Sequence, residues 1–329
     1  MAVLEDIAEQ AGVSVSTVSR ALQNDKRISI STRQRIVSIA NELGYTKHKV
    51  KRNQIQDWDA VGIIVPEVIS GYYAQLVHIA HDGLAKRQLS AVVKITNFRQ
   101  DAMIRNIENF SRLNIKCLLI IVDDSEEIST DVLSAVSIIQ TPVMFITSKY
   151  FSNLDYDSIY IDEQRGIANA LEYLVEKGYH RIGFVGEEQT LGRFHVYKEV
   201  MEKLGLPVDE QHVRIGQKRA EEGGFIAMNE ILKAAVLPDA VFAGYDHMAI
   251  GAIFAIEQAG LRIPEDVAVL GFDDILTSKF IHKGLTTIKN PCEDMIAIAL
   301  RVLLRRTEKP NTAPQQIALK PSLIIRGTT

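Results

Sequence analysis

The fold is decided by residues 3–45, which read VLEDIAEQAGVSVSTVSRALQNDKRISISTRQRIVSIANELGY. In its first part, apolar side chains recur at the spacing of one helical face, namely at Leu4, Ile7, Ala8 and Ala11. Gly12 then opens a turn over residues 12–14, because glycine accepts the positive φ that a sharp corner between two helices requires. Ser14 is of the residue type that caps a following helix. The stretch therefore predicts a short helix, a tight turn and the start of a second helix.

The second helix is predicted over residues 15–22, and its two faces differ. Val18, Ala21 and Leu22 face inward. The outer face carries Ser16, Thr17, Ser19 and Arg20. Short hydroxyl side chains with one arginine suit a helix that lies against base edges and phosphates in a DNA major groove. On these residues alone, an ordinary helical hairpin is an equally good interpretation.

A third helix is predicted after a cap at Ser29 or Ser31, and Gly44 ends it. Its apolar stripe consists of Ile36, Val37, Ala40 and Leu43. Three helices of this size form only a small hydrophobic core. With AGVSVSTVSRAL at residues 11–22, this pattern resembles the N-terminal headpiece of the LacI–GalR family of bacterial transcription repressors.

The resemblance implies a helix-turn-helix headpiece over residues 1–46 that binds double-stranded DNA. Contacts to bases are then expected from Val15, Ser16 and Arg20, and contacts to the DNA backbone from Thr17, Ser19 and Tyr45. The distribution of charge agrees, since residues 1–52 carry nine Lys/Arg against five Asp/Glu, whereas the remainder carries 28 against 36. A basic head on an acidic body fits local contact with phosphate rather than binding along the whole chain.

Residues 47–60 form a predicted linker with a basic start. Family members usually have Pro-Asn and then Ala-Arg-x-Leu here, and the resemblance implies a hinge helix that wedges the Leu into the minor groove. This chain lacks that Pro and offers Gln54 or Ile55 at the position of the Leu. Either Ile55 is the wedge, or the hinge works by charge through Lys49, Lys51 and Arg52, which predicts a steep salt dependence of DNA binding. A solvated linker is the alternative.

From residue 61 onward the chain alternates between strands and helices. The predicted strands are residues 61–65, 91–95, 117–122, 143–146, 159–161, 182–186, 240–244 and 267–272, and helical stretches between them include residues 73–87, 104–113, 165–177 and 248–259. Near-continuous apolar strands between helices indicate parallel sheets that are covered on both faces. The series is too long for one sheet and restarts after residues 179–181, so we expect two doubly wound subdomains with a ligand cleft at the carboxyl ends of their strands.

Motifs for nucleotide chemistry and for nucleophilic catalysis are missing from the sequence. It contains no GxxxxGK[ST], no GxGxxG after the first strand and no nucleophile elbow, so we expect neither an enzyme nor a cofactor.

Cys117 and Cys292 have no partner at metal-ligand spacing, which predicts buried side chains and no metal site. The sequence shows no export signal and no apolar run of ~18 residues, so we expect no membrane partner and a cytoplasmic location.

The α/β region resembles the periplasmic-binding-protein-like effector domain of the same family. This implies a domain over residues 61–329, with an N-terminal subdomain of 61–160 and 291–319 and a C-terminal subdomain of 161–290 and 320–329. Matching family positions predict the effector-binding residues Tyr72, Tyr73, Thr147, Arg193, Lys218, Tyr245, Asp246, Asp273 and Asn290. Two alternatives stay open, because Tyr72 and Tyr73 can equally belong to the core, and Asp246 can cap the helix that follows it.

Two departures from the family pattern bear on the effector, which the resemblance implies to be a sugar or sugar derivative. Thr147 stands where a carboxylate often reaches sugar hydroxyls, and residues 217–219 (Gln-Lys-Arg) stand where an aromatic residue often stacks. Compared with the family pattern, this site has one acidic residue fewer and two basic residues more. This favours an anionic effector, because Arg and Lys pair with phosphate or carboxylate. The alternative is that Lys218 and Arg219 face solvent.

The resemblance also implies how such a protein works. Effector binding closes the cleft and thereby changes the affinity of two headpieces for a near-palindromic operator, which requires a homodimer. The helices that begin near Tyr73 and His247 are then candidates for the dimer interface. The function expected is repression of carbohydrate-utilisation genes. Alternatives are a corepressor or activator mechanism on the same fold, or a sugar-binding or sugar-modifying protein that binds no specific DNA.

Overall fold

The chain divides into two compact units, residues 1–57 and residues 58–329. The computed structural model describes residues 4–22, 28–29, 32, 35–36, 38–40, 43, 59–122, 128–281 and 283–329. The two units are described separately below. The predicted DNA contacts at Tyr45, Lys49, Lys51, Arg52 and Ile55 lie outside the described residues.

The first unit begins with two helices, α1 (Leu4–Ala11) and α2 (Val15–Leu22). Gly12 joins them with a φ of +64°, which confirms the predicted left-handed corner. The Ser14 hydroxyl accepts a hydrogen bond from the Thr17 amide at 3.2 Å, so Ser14 caps α2 as the sequence suggests. The helix-turn-helix is therefore built from short-range interactions that the local sequence specifies.

A further helical segment packs on this pair. The Ser29 hydroxyl accepts from the Thr32 amide at 3.2 Å, which makes Ser29 a cap. Arg35 donates from Nη2 to the carbonyl of Ala11 at 3.0 Å and thereby satisfies an orphan carbonyl near the end of α1. The buried side chains of this unit are Ile7, Ala8, Ala11, Val18, Ala21, Ile36 and Ala40, which agrees with the predicted apolar stripes. This small core leaves the outer face of α2 available for binding.

The second unit contains two six-stranded sheets. The first sheet has the order β11-β5-β4-β3-β1-β2 and consists of β1 (Ala60–Val65), β2 (Ser90–Ile95), β3 (Cys117–Ile121), β4 (Val143–Thr147), β5 (Asp157–Ile161) and β11 (Gln316–Leu319). All its neighbouring strands run parallel. Strands β1, β3 and β4 are fully buried, as their continuous apolar sequence predicts, and Cys117 and Cys292 lie in this core.

The second sheet repeats the same plan with the order β12-β10-β9-β8-β6-β7. It consists of β6 (Ile182–Glu187), β7 (Val213–Gly216), β8 (Ala240–Ala243), β9 (Ala268–Asp273), β10 (Thr286–Lys289) and β12 (Ser322–Ile324). Its pairs are parallel except for β10 and β12, which are antiparallel. In both sheets the chain order reverses beside the first strand, β1 or β6, and such a switch point opens a crevice at the carboxyl ends of the strands. The predicted fold class is confirmed.

Helices cover both sheets. They are α3 (Gly71–Ala85), α4 (Gln100–Ser111), α5 (Thr130–Ser137), α6 (Glu163–Glu176), α7 (Leu191–Lys203), α8 (Ala220–Ile231), α9 (Asp246–Gln258) and α10 (Cys292–Glu308), with short 3₁₀ turns at Glu188–Thr190, Glu210–His212 and Leu276–Lys279. The chain crosses between the sheets after β5, before α10 and between β11 and β12. No helix within the described parts of the chain is long and apolar enough to traverse a membrane.

Helices α8 and α9 touch through their backbones at two glycines. A Cβ added to Gly224 would lie 2.0 Å from the carbonyl oxygen of Met248, and one added to Gly251 would lie 2.0 Å from that of Glu221. Neither position has room for a side chain, and each obstructing atom belongs to a helix backbone that cannot rotate away. The two helices therefore form one rigid pair behind the second sheet.

Candidate functional site

A cavity lies where the carboxyl ends of the two sheets face each other, and its empty space, including the part that is open to solvent, is about 620 Å³. Its lining comes from the carboxyl ends of β1 to β9 and the segments that follow them, and includes Glu67, Tyr72, Tyr73, Phe98, Val122, Thr147, Glu163, Glu187, Arg193, Arg219, Tyr245 and Asp273. This is the location that two facing doubly wound sheets predict for a ligand site. Six of the nine predicted effector-binding residues line this one cavity, namely Tyr72, Tyr73, Thr147, Arg193, Tyr245 and Asp273.

Arg193 is held rigidly at one side of the cavity. It lies in the first turn of α7, donates to both carboxylate oxygens of Glu163 at 2.7–3.2 Å and donates to the carbonyl of Gly244 at 2.7 Å. Its guanidinium also stacks 3.8 Å from the ring centre of Phe272, and its side chain is only 11% exposed. A buried, bidentate and stacked guanidinium is fixed in orientation, which suits it to hold a ligand in one pose.

Asp273 ends β9 beside Arg193. Its carboxylate accepts from the Asn290 amide at 3.1 Å and lies 3.6 Å from Nη2 of Arg193. Burial raises the pKa of Asp273 well above its ordinary value, although the charge of Arg193 acts in the opposite direction. Its φ of 108° is outside the range that non-glycine residues favour, and such strain concentrates at functional sites.

Arg219 occupies the mouth of the cavity and pairs with two glutamates. Its Nε lies 3.0 and 3.1 Å from the carboxylate oxygens of Glu187, while Nη1 and Nη2 donate to Glu67 at 3.2 and 3.1 Å. Burial lowers the pKa of Arg219, but the hydrogen bonds that it donates to the two carboxylates outweigh this effect and raise that pKa above the ordinary arginine value. The guanidinium is therefore charged, and the carboxylates of Glu67 and Glu187 already balance its positive charge.

The charges of this lining argue against the anionic effector that the sequence suggested. Among the described residues, four carboxylates face the cavity against two guanidiniums, and each guanidinium is bound to a carboxylate in the protein itself. Lys218, predicted to contact the effector, instead points to solvent with 62% of its side chain exposed and pairs with Glu222 at 3.1 Å. The segment of residues 217–219 thus contributes only Arg219 to the lining.

Aromatic rings form one wall. The rings of Tyr72 and Tyr73, at the start of α3, lie 5.1 Å apart, and Tyr73 meets Phe98 edge-on at 6.2 Å. Burial raises the pKa of Tyr72, so its hydroxyl stays protonated at neutral pH. Both interpretations left open for this pair hold, because Tyr72 and Tyr73 line the cavity and also pack against the core of the N-terminal subdomain. Their apolar ring faces with adjacent hydroxyls suit the mixed surface of a sugar.

Asp246 and Asn290 do not line the cavity, contrary to expectation. Asp246 is completely buried at the start of α9, where its carboxylate accepts from the Ile275 amide at 2.9 Å and from the hydroxyls of Ser278 and Thr287 at 2.6 Å. It therefore ties three segments of the C-terminal subdomain together. Asn290 lies behind Asp273 and orients that carboxylate through its amide.

Several lining residues escaped the sequence analysis. Glu67, Glu163 and Glu187 each come at or just after the end of a predicted strand, which is the part of a doubly wound sheet that faces ligands. This positional signal was present in the stretches VGIIVPE, IYIDE and IGFVGEE. Phe98 gave no comparable signal, because its placement depends on a left-handed backbone at residues 97 and 98.

The headpiece has its own exposed surface on α2. Val15, Ser16 and Arg20 are exposed, whereas Thr17 and Ser19 are half-buried. The hydroxyls of Ser16 and Thr17 lie 2.9 and 2.8 Å from that of Ser14, so a polar cluster surrounds the start of the helix. The exposed face is the one that a recognition helix presents to DNA.

Two family profiles match the chain in the order that the fold suggests. Residues 3–48 match the profile described as "Bacterial regulatory proteins, lacI family", and residues 171–329 match "Periplasmic binding protein-like domain". The chain belongs to the LacI family of bacterial regulatory proteins. It is a DNA-binding transcriptional regulator that joins a helix-turn-helix headpiece to an effector-binding domain.

Full-length relatives place this LacI-family regulator among characterised repressors. It is 29% identical over 335 residues to the ribose operon repressor of Escherichia coli (strain K12), with 100% of both chains covered. It is also 29% identical over 334 residues to the HTH-type transcriptional repressor PurR of Haemophilus influenzae (strain PittEE), covering 99% of this chain and 98% of the relative.

Solved structures share the fold of this LacI-family chain over its whole length. A complex of the transcriptional regulator CelR with cellobiose aligns with a TM-score of 0.72 at 25% identity and covers 100% of both chains. The Lac repressor dimer bound to operator and the anti-inducer ONPF aligns with a TM-score of 0.73 at 23% identity, covering 99% of this chain and 98% of that one.

Asp246 supplies a test of the structural role assigned to it. Replacing Asp246 by Ala leaves three buried donors without an acceptor, so we expect the free energy of unfolding to fall by about 3 kcal/mol. Asp246→Asn should cost less, because the hydroxyls of Ser278 and Thr287 can rotate to accept from the new amide. Urea denaturation followed by circular dichroism measures both, with Glu202→Ala as the control at an exposed carboxylate of the same subdomain.

The same residue predicts a pH dependence. Burial raises the pKa of Asp246 to about 6 from an ordinary value near 4, although its hydrogen bonds oppose the shift. A raised carboxyl pKa stabilises the folded state below the unfolded value, and this contribution is lost as pH rises through the folded value. Wild type should therefore lose stability relative to Asp246→Asn between about pH 4 and pH 7. A ligand-binding defect at unchanged stability would contradict the structural role.

Proposed function

We propose that this protein is a sequence-specific repressor of carbohydrate-utilisation genes that acts in the cytoplasm, and that an effector in the cavity between the subdomains controls its operator affinity. One observation carries the proposal. A headpiece with a solvent-facing recognition helix is joined, in a single chain, to two sheets that enclose a polar cavity at their switch points. Such a chain can couple ligand binding to DNA binding, because only a difference in affinity between two states is required.

For the headpiece, we assign contacts with bases to Val15, Ser16 and Arg20. These side chains project from the exposed face of α2, and an arginine that pairs with guanine is the commonest specific contact in a major groove. We assign contacts with the DNA backbone to Thr17 and Ser19. The assignments to Tyr45, Lys49, Lys51, Arg52 and Ile55 rest on the sequence and the family resemblance.

For the cavity, we propose a neutral effector rich in hydroxyl groups. Four carboxylates supply acceptors, and Arg193 supplies a fixed donor beside Asp273. An added phosphate would bring about 1.5–2 negative charges toward those carboxylates while both guanidiniums are already paired. Aromatic faces at Tyr72 and Tyr73 suit the apolar side of a sugar ring. The cellobiose in CelR and the name of the ribose operon repressor agree with this class of compound.

We further propose that the protein is a homodimer. Large apolar side chains are exposed near the junction of the subdomains, including Ile69 at 88%, Leu276 at 72% and Phe280 at 78%. Gly71 packs against Ile275, which brings the segments that carry Ile69 and Leu276 together. Exposed apolar groups clustered in this way mark association surfaces, and a second copy of the chain is the occupant that two operator half-sites require.

DNA selection from a pool of random duplexes tests the regulator function. We expect a near-palindromic sequence to be enriched, since a two-fold dimer presents two equivalent headpieces. Arg20→Ala should weaken binding to that sequence by about 1–3 kcal/mol and leave binding to random duplex nearly unchanged. Arg262→Ala, which removes an exposed cation from the C-terminal subdomain, is the control. Equal losses on both duplexes would reassign Arg20 to phosphate, and no enriched sequence would favour a sugar-binding protein.

Calorimetric titration tests the class of effector. D-ribose and D-ribose 5-phosphate serve as matched probes, and we expect the neutral sugar to bind more tightly. Asp273→Asn should weaken sugar binding by about 10- to 100-fold, the effect of losing one hydrogen bond to a charged group. Asp266→Asn is the control in the same subdomain. Tighter binding of the phosphate ester would sink the proposal, while operator binding with and without the sugar distinguishes inducer from corepressor.

Light scattering of the full chain tests the oligomeric state. Phe280→Asp and Leu276→Asp should each convert the dimer to a monomer, since a buried unpaired carboxylate is costly at an interface. Ile138→Asp alters an equally exposed apolar residue, at 70% exposure, after α5 and should leave the dimer intact. A stable tetramer, or a dimer in all three variants, would contradict the proposed interface.

A further inference from the structure

Arg219 connects the two subdomains directly. It follows β7 in the C-terminal subdomain, where its Nε pairs with Glu187 at the end of β6. Its two Nη atoms pair with Glu67, which follows β1 in the N-terminal subdomain. Glu67 and Glu187 are both buried, whereas the side chain of Arg219 is 37% exposed. One guanidinium thus bridges the two sheets at their switch points.

The N-terminal subdomain presents a prepared surface to this guanidinium. The ring of Phe98 lies 4.3 Å from Cζ of Arg219, which adds a cation–π contact to the ion pair. Phe98 and its neighbour Asn97 have φ values of 59° and 52°, a left-handed conformation that an aromatic residue seldom adopts. The Asn97 amide donates to the carbonyl of Pro66 at 2.8 Å and fixes this strained turn beside Glu67.

The C-terminal subdomain holds Arg219 just as firmly. Ala220, the next residue, also has a positive φ of 53°, and its amide donates to the hydroxyl of Tyr245 at 2.8 Å. That hydroxyl in turn donates to Glu187 at 2.7 Å. Strained residues therefore lie on both sides of the ion pairs of Arg219 and are held by hydrogen bonds. This indicates that the surrounding structure is organised to form these ion pairs, unlike an incidental pair at the surface.

We propose that Arg219 is a latch that holds the cleft closed before any effector binds. The latch comprises Arg219, Glu67, Glu187 and Phe98. The latch rests on the proposed function in one respect, namely that effector binding closes the cleft between the subdomains. The latch supplies part of that closure through contacts within the chain. The effector then needs less differential affinity to complete the shift. Arg219 consequently affects how tightly the effector binds by holding the two subdomains together, and not only as one of the residues that line the cavity.

A second link between the subdomains means that the latch can be removed without disrupting the fold. The Gly71 amide at the start of α3 donates to Nε2 of His247 at 3.0 Å, and Nδ1 of His247 lies 2.6 Å from Glu221. This link does not involve Arg219, so a latch variant keeps one connection between the subdomains and each sheet keeps its core. Loss of the latch should therefore open the cleft without unfolding either subdomain.

Hydrogen–deuterium exchange of the ligand-free, full-length protein tests the latch. In Arg219→Gln, the peptide covering residues 96–100 should exchange on the order of tenfold faster, because it lies in the other subdomain and loses its cover. Glu67→Gln should give the same increase, and the double variant should add little to either single change. Arg214→Gln is the matched control, since Arg214 pairs with Glu230 within the C-terminal subdomain at 3.1 Å.

The outcomes separate the latch from the regulator function. Exchange at residues 96–100 that stays at the wild-type rate in Arg219→Gln, or that rises equally in Arg214→Gln, would overturn the latch. Urea denaturation of each variant checks that the free energy of unfolding has not changed enough to explain faster exchange. The experiment needs neither DNA nor sugar, so failure to find an operator or an effector would leave the latch standing, and failure of the latch would leave DNA selection unaffected.

Discussion

Carboxylate–guanidinium pairing at the facing edges of two parallel sheets is the interaction on which the cleft depends. Parallel strands deliver all their carboxyl ends to one edge, and the loops that follow carry the acids. Arg193 pairs with Glu163 and Arg219 pairs with Glu187, so each guanidinium neutralises a carboxylate at this edge. The result is a polar cavity in which both guanidiniums are already paired with carboxylates of the protein. Its lining therefore offers mainly hydrogen-bond acceptors to a ligand.

Much of the fold could be predicted from local sequence. Fully apolar runs such as CLLII at β3 and AVLGF at β9 proved to be central strands, and Gly12 marked the corner of the headpiece. The strands that escaped prediction are β7, β10, β11 and β12. Strands β7, β11 and β12 lie at sheet edges and are half-exposed, so their sequences lack an apolar signature. Strand β10 lies inside its sheet and is largely buried, but its sequence TTIK contains a single large apolar residue. The predicted helices α3, α6 and α9 each begin two residues earlier than expected, because their first turns carry polar or glycine residues outside the apolar stripe.

The candidate site was less predictable, and the reason is long-range geometry. Lys218 and Arg219 are adjacent in sequence and equally basic, yet only Arg219 reaches the cavity. Nothing local distinguishes them, since the choice depends on Glu67, which lies more than 150 residues away in the chain. Asp246 shows the opposite case. Its family position suggested ligand contact, but three donors from distant segments use its carboxylate for folding.

The paired glycines of α8 and α9 have a consequence for movement. Arg219 directly precedes α8 and Tyr245 directly precedes α9, and the backbone contacts at Gly224 and Gly251 prevent either helix from sliding along the other. Arg219 and Tyr245 must consequently move together with this pair of helices. Any bending is left to the three crossings of the chain between the sheets, and two of these carry a proline, Pro291 and Pro321. Since proline fixes its own φ, fewer backbone torsions can change at these two crossings than at the crossing after β5.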